Sequence, residues 1–134
     1  MLDHTFAPTT TLTPARRPAL DAASWLLRAE GLLAGGVALL VYAQLGASWW
    51  WFAALVLLPD LAMLGYLAGN RAGALAYNAV HTYAAPAVLA AAALGLHLPV
   101  LLPLAAIWLA HIGFDRALGY GLKFADAFKH THLS

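Results

Sequence analysis

Four long apolar stretches, separated by connections too short to hold more than a turn, fill almost all of the chain between positions 24 and 120. A helix needs about 20 mostly apolar residues to cross a bilayer. SWLLRAEGLLAGGVALLVYAQ (24–44) and SWWWFAALVLLPDLAMLGYLA (48–68) meet that length, as do 73–96 and 99–120. The connections LGA, GNRA and HL force sequential helices to run antiparallel. The pattern predicts an all-α, integral-membrane, up-down-up-down four-helix bundle over 24–121. A flexible tail (1–23) precedes it and an interfacial segment (122–134) follows.

A soluble four-helix bundle is the competing architecture. It needs a polar outer face on each helix, and VALLVYA, FAALVLL and PAVLAAAALGL offer none. Only 10% of residues are charged and mean hydropathy is +0.74, whereas soluble domains carry roughly 25% charged residues. A net charge of +1, with no basic run interleaved with aromatics, argues against nucleic acid as a partner. With no cysteine, disulfides, iron–sulfur clusters and thiol chemistry are excluded. The opening MLDHTFAPTTTLTPARRPALDAA lacks a short apolar core followed by a cleavage site, so it does not read as a signal peptide.

Positive residues set the expected orientation. Arg16, Arg17 and Arg28 start the first helix, Arg71 lies between the second and third, and Arg116, Lys123 and Lys129 end or follow the fourth. The other two loops carry no Lys or Arg. Both termini and the middle loop are therefore expected in the cytoplasm, with the chain multi-pass in the membrane. Trp49, Trp50 and Trp51 then form an outer aromatic belt and Trp25 marks the inner interface.

Ionisable residues inside a span cost roughly 2.5–3.5 kcal/mol each at its centre. Yet every predicted helix has one: Glu30, Asp60, His81, and His111 with Asp115. At 1.5 Å per residue, Glu30, Asp60 and His81 fall about two turns from the cytoplasmic end of their helix, His111 about two to three turns and Asp115 one turn below it, so all five share a similar slab. The local spacings agree: His111 and Asp115 are i and i+4, Tyr77 and His81 likewise, and Asn78 and His81 i and i+3, each pair on one face.

Imidazoles and carboxylates on inward faces are how a helical bundle builds a metal site. Glu30, Asp60, His81, His111 and Asp115 are the expected ligands, joined by His132 if the tail folds back. Such oxygen and nitrogen donors suit one or two divalent ions, Zn, Mn or Fe. Glu30, Asp60 or Asp115 then serves as base, with Arg116 and Asn78 orienting substrate or ligands and Tyr77 beside them. The expected activity is a metal-dependent hydrolase acting on a lipid-like or membrane-soluble small molecule. Three alternatives stand beside it: a proton or ion relay, which four short helices support only as a homo-oligomer; a bis-His haem on His81 and His111; and a structural module, with Asp115 and Arg116 an interfacial ion pair.

Pro59 and Pro86 interrupt the second and third helices and are expected to kink them. Gly35-Gly36, Gly65-x-x-x-Gly69 and the alanines of 84–93 permit close packing. Gly119 and Gly121 end the last helix. Phe124 and Phe128 with Lys123 and Lys129 suit a segment lying on the inner leaflet, or a lid over the site. His4, His97 and His130 have no assigned role.

LRAEG (27–31), PDLAMLGYLAG (59–69), GALAYNAVHTY (73–83), HIGFDRALGYGLK (111–123) and THLS (131–134) together resemble a bacterial family named domain of unknown function 4260. The similarity spans roughly residues 25–134. It implies a small integral membrane protein and no particular activity. The family's motif positions fall on Glu30, Asp60, Tyr66, Asn78, His81, His111, Asp115, Arg116, Tyr120, Lys123, Thr131 and His132.

Overall fold

The computed structural model describes residues 22–133, so the expected tail, but for its last two residues, lies outside the described chain. α1 spans Ala22–Gln44 and α2 Trp49–Leu55. A 3-10 segment, Leu58–Ala68, follows. α3 (Asn70–Val80) and α4 (Ala84–Gly95) come next, then a short 3-10 turn (Pro99–Leu101) and α5 (Leu102–Leu118). Among the described residues there is no strand, only an isolated bridge between Lys123 and Thr131. Ala22–Gln44, Trp49–Ala68 and Pro99–Leu118 are each long and apolar enough to cross a membrane. Large apolar side chains such as Leu33, Trp50, Leu67 and Val88 stand fully outward. Those spans and that exterior are the features of a membrane protein, whose solvent is lipid.

Two of the four expected helices are not continuous. The second is α-helical only as far as Leu55, then tightens to 3-10 geometry behind Pro59, which takes an early position of the new segment where its missing N–H costs nothing. Eleven residues is long for this geometry, and such stretches mark strain or a functional hinge. The third expected helix, 73–96, breaks at residues 81–83 instead of merely kinking. Pro86 explains the place: it has no N–H to give the carbonyl of Thr82, and its ring would press on that carbonyl in a continuous helix. Inside the first turn of α4 it is harmless, since those N–H groups have no helical partner anyway.

α1 packs along α5, α3 against the 3-10 segment, and α4 against α5. The α1–α5 contact is backbone on backbone. A Cβ on Gly113 would meet Gly31 and Gly35 main-chain atoms, so only glycine fits. Gly36 faces open space, so half of the expected Gly-Gly contact is made. Gly119 ends α5 in the left-handed region (φ 94°), as expected of a C-terminal glycine. The chain then folds back beneath the helices, with Lys123, Thr131 and Leu133 buried.

Candidate metal centre

Asp60 comes from the 3-10 segment, His81 from the C-cap of α3, and His111 and Asp115 from α5, one turn apart. The breaks in the second and third helices are what deliver the first two. One donor atom from each of the four residues lies within 4.8 Å of all the others. His81 Nε2 is 3.4 Å from Asp60 Oδ1 and 3.5 Å from Asp115 Oδ2. His111 Nε2 is 3.4 Å and 3.6 Å from the same oxygens, and 3.1 Å from His81 Nε2. Donors at the corners of a tetrahedron with bonds of about 2.0–2.1 Å stand roughly 3.3–3.4 Å apart, so the spacing fits a single divalent ion.

Hydrogen bonding favours the same conclusion. His81 Nδ1 is 2.9 Å from the Tyr77 carbonyl, an acceptor only, so Nδ1 carries the proton. In the neutral ring the Nε2 lone pair then points into the cluster, the second-sphere arrangement that holds a ligating imidazole in one tautomer. Among the described residues no Lys or Arg comes within salt-bridge distance of Asp60 or Asp115. Two carboxylates and an imidazole lone pair converge with little to balance them but a cation. The imidazoles are buried (1% and 4% exposed), while the side chains of Asp60 and Asp115 are 31% and 18% exposed, so the carboxylates form the open side.

The surroundings hold the donors in place. The Tyr77 ring stacks on His81 at 3.7 Å, and its hydroxyl donates to Asp115 Oδ2 at 3.4 Å. Where α3 breaks, α5 supplies donors to two of the carbonyls left without helical partners. Trp108 Nε1 donates to the Val80 carbonyl at 2.6 Å, and the Arg116 guanidinium to the His81 carbonyl at 2.9 Å. Arg116 also donates to the Tyr120 carbonyl. Asn78 is turned away from the cluster and clamps the backbone of Lys123: its side-chain oxygen accepts from the Lys123 N–H at 2.7 Å, and its amide donates to the Lys123 carbonyl at 2.8 Å. The Lys123 ammonium lies over the Tyr77 and Phe128 rings and donates to the Phe128 carbonyl, and burial pushes its pKa down.

Two expected ligands do not reach the cluster. Gly31 faces α5, and Glu30, one residue earlier, is turned about 100° round α1. It lines a separate cavity of about 250 Å3 with Arg116, Thr82, Tyr83 and His132. His132 does fold back, but its Nδ1 accepts from the Leu122 N–H at 2.8 Å. Shared depth alone does not say which face of a helix a residue takes, and Glu30 lies outside the four-residue group. Arg116 makes no ion pair with Asp115; its bonds go to carbonyls. Trp108 is not ionisable and so does not stand out within an apolar span; its position three residues before His111, on the same helix face, is the signal that marks it.

No curated protein and no solved structure matches this chain. A family model does, over residues 24–134, taking in the four clustered donors and every residue that positions them. The chain belongs to the family described as domain of unknown function 4260.

Proposed function

We propose that this is a membrane-embedded, metal-dependent hydrolase acting on a lipid-like substrate. The observation that carries the reading is the convergence of Asp60, His81, His111 and Asp115 within 4.8 Å, with the His81 tautomer fixed by the Tyr77 carbonyl. Catalytic sites of this kind use three protein ligands and keep one position open. His81, His111 and Asp115, the last anchored by Tyr77, are the three. Asp60, the most exposed of the group, is the general base. A Zn, Mn or Fe ion held by these residues would supply Lewis acidity toward the scissile group and the attacking water. Asp60 takes a proton from the attacking water, whose oxygen bonds to the carbonyl or phosphoryl centre; the bond from that centre to the leaving oxygen breaks, and that oxygen takes the proton from Asp60. Haem fits poorly, because the two Nε2 atoms face each other at 3.1 Å with carboxylates beside them, leaving no gap for a macrocycle.

We take α3 and α4 as one broken traverse. The chain then crosses a bacterial inner membrane four times as an up-down-up-down bundle, with both termini and the metal centre on the cytoplasmic side. The test is incubation of purified protein with a membrane lipid extract and product detection by mass spectrometry. New lipid products from the wild type and none from His111→Ala support the reading; identical product profiles overturn it.

One observation favours a second reading. Helices broken at mid-membrane, with freed carbonyls near ionisable groups, also occur in ion-coupled transporters. Proton flux into proteoliposomes that is abolished by His81→Ala marks a relay; a hydrolase shows none.

A further inference from the structure

Residues next to the cluster donors in the chain line two cavities. One is an apolar chamber of about 570 Å3, lined among others by Pro59, Ala62, Val80, Leu104, Ile107 and Trp108. Pro59 and Val80 each precede a cluster residue in the chain, and Ile107 and Trp108 lie one turn before His111 on the same face of α5. The other is the 250 Å3 cavity of Glu30, Thr82, Tyr83, Arg116 and His132. Thr82 follows His81 and Arg116 follows Asp115. Along α5 the order is apolar chamber (104–108), donors (111 and 115), polar cavity (116). The axial run from Ile107 to Arg116 is about 13 Å.

The polar cavity holds a charge without a counter-ion. Arg116 is only 7% exposed, and among the described residues no carboxylate lies within salt-bridge distance of it. Two of its N–H groups serve carbonyls, while a guanidinium has five. A buried, unpaired charge is costly, and a site that retains one is built to receive its partner. Glu30 shares the cavity but is exposed, where water and salt screen it. His132, whose Nδ1 accepts from Leu122, carries its proton on Nε2 and is a second donor. The apolar chamber falls within the range that holds small-molecule ligands, and its walls are almost wholly apolar.

We infer that the substrate is an amphiphile with an anionic head: its aliphatic chain fills the apolar chamber, a phosphate or carboxylate meets Arg116, and the bond between them crosses the metal cluster. This rests on the hydrolase reading for the reaction, but not for the binding. The test is calorimetric titration of the full chain in a neutral maltoside detergent with octyl phosphate, octanol and inorganic phosphate. Octyl phosphate is expected to bind at least tenfold more tightly than either of the others. Ala62→Trp, which fills the apolar chamber, and Leu27→Trp, which narrows the polar cavity without touching the bonds of Arg116, should each weaken it tenfold or more. Arg116→Gln should bring it to the level of octanol. Equal affinity for octyl phosphate and octanol, equal affinity for octyl phosphate and inorganic phosphate, or wild-type binding by both cavity-filling variants overturns the inference. Binding is expected to persist in His111→Ala. If octyl phosphate is selected but no lipid is hydrolysed, the hydrolase reading fails alone; if lipid is hydrolysed without that selectivity, this inference fails alone.

Discussion

The guanidinium of Arg116 donates to the backbone carbonyl of His81 across 2.9 Å, so the residue after one donor of the cluster fixes the main chain of another. Trp108 does the same for Val80. Both bonds exist because α3 stops at the cluster, and both come from the helix that supplies His111 and Asp115. The broken helix and the donors of α5 therefore form one unit.

Trp108→Phe keeps an aromatic side chain, though a smaller one, and removes the N–H that serves the Val80 carbonyl. Leaving a buried acceptor unpaired costs about 1–3 kcal/mol, and loss of an outer-sphere partner typically weakens metal binding by roughly 10–100-fold. Metal titration and thermal unfolding in detergent should show both effects. Unchanged values in the variant would mean that the bond does not hold the break.

Gly113→Ala and Gly36→Ala form a matched pair. The first puts a methyl group into the α1 backbone and should cost about 1–3 kcal/mol by overpacking. The second puts the same group into open space and should be neutral, or stabilising by up to about 1 kcal/mol through helix propensity. Melting temperatures that move equally would contradict the close α1–α5 contact.

The C-terminal segment hangs on Asn78. Asn78→Ala removes two hydrogen bonds to Lys123, each worth about 0.5–1.5 kcal/mol. Lys123 is buried in the wild type. Tryptic cleavage after Lys123 should accelerate at least several-fold in the variant while the helices stay intact. A cleavage rate equal to that of the wild type would show that the segment is held elsewhere.

Acid should loosen the same segment. Burial and the nearby Arg116 push the His132 pKa below 6.5, and protonating Nδ1 removes the acceptor for the Leu122 N–H. The released segment binds the proton more readily than the docked one. Docking is therefore fully stable above pH 6.5 and weakens as pH falls from 6.5 through the lowered folded value. Glu30, which shares the cavity, would attract a charged imidazole and Arg116 would repel it; Arg116 is the nearer influence. Asp126, its carboxyl held low by the His130 hydrogen bond, acts in the same sense, but its support is lost only below pH 3.8. Amide exchange at Leu122, corrected for intrinsic rate, should lose protection between pH 7.5 and 5. Constant protection over that range would contradict the His132 bond.

Apolar length and short connections were enough to read an all-α membrane protein, and depth brought Asp60, His81, His111 and Asp115 to one level. Depth says nothing about rotation round a helix, which is why Glu30 was grouped with them. The i, i+4 pair His111 and Asp115 was legible because both lie on one unbroken helix. The place of His81 is not, because it depends on a break that Pro86 permits but does not impose; Trp108 and Arg116, distant in sequence, serve two of the carbonyls there. Asn78 read as a neighbour of the site because i, i+3 spacing shows a shared face, not the partner its amide takes.

Metal content bears most directly on the centre formed by Asp60, His81, His111 and Asp115. Protein purified in detergent without chelator and analysed by mass spectrometry for Zn, Mn and Fe should hold about one transition-metal ion per chain. His81→Ala and His111→Ala should hold almost none, while Glu30→Gln should match the wild type. A wild-type protein that carries no such ion and takes none up when it is supplied would contradict the metal centre outright.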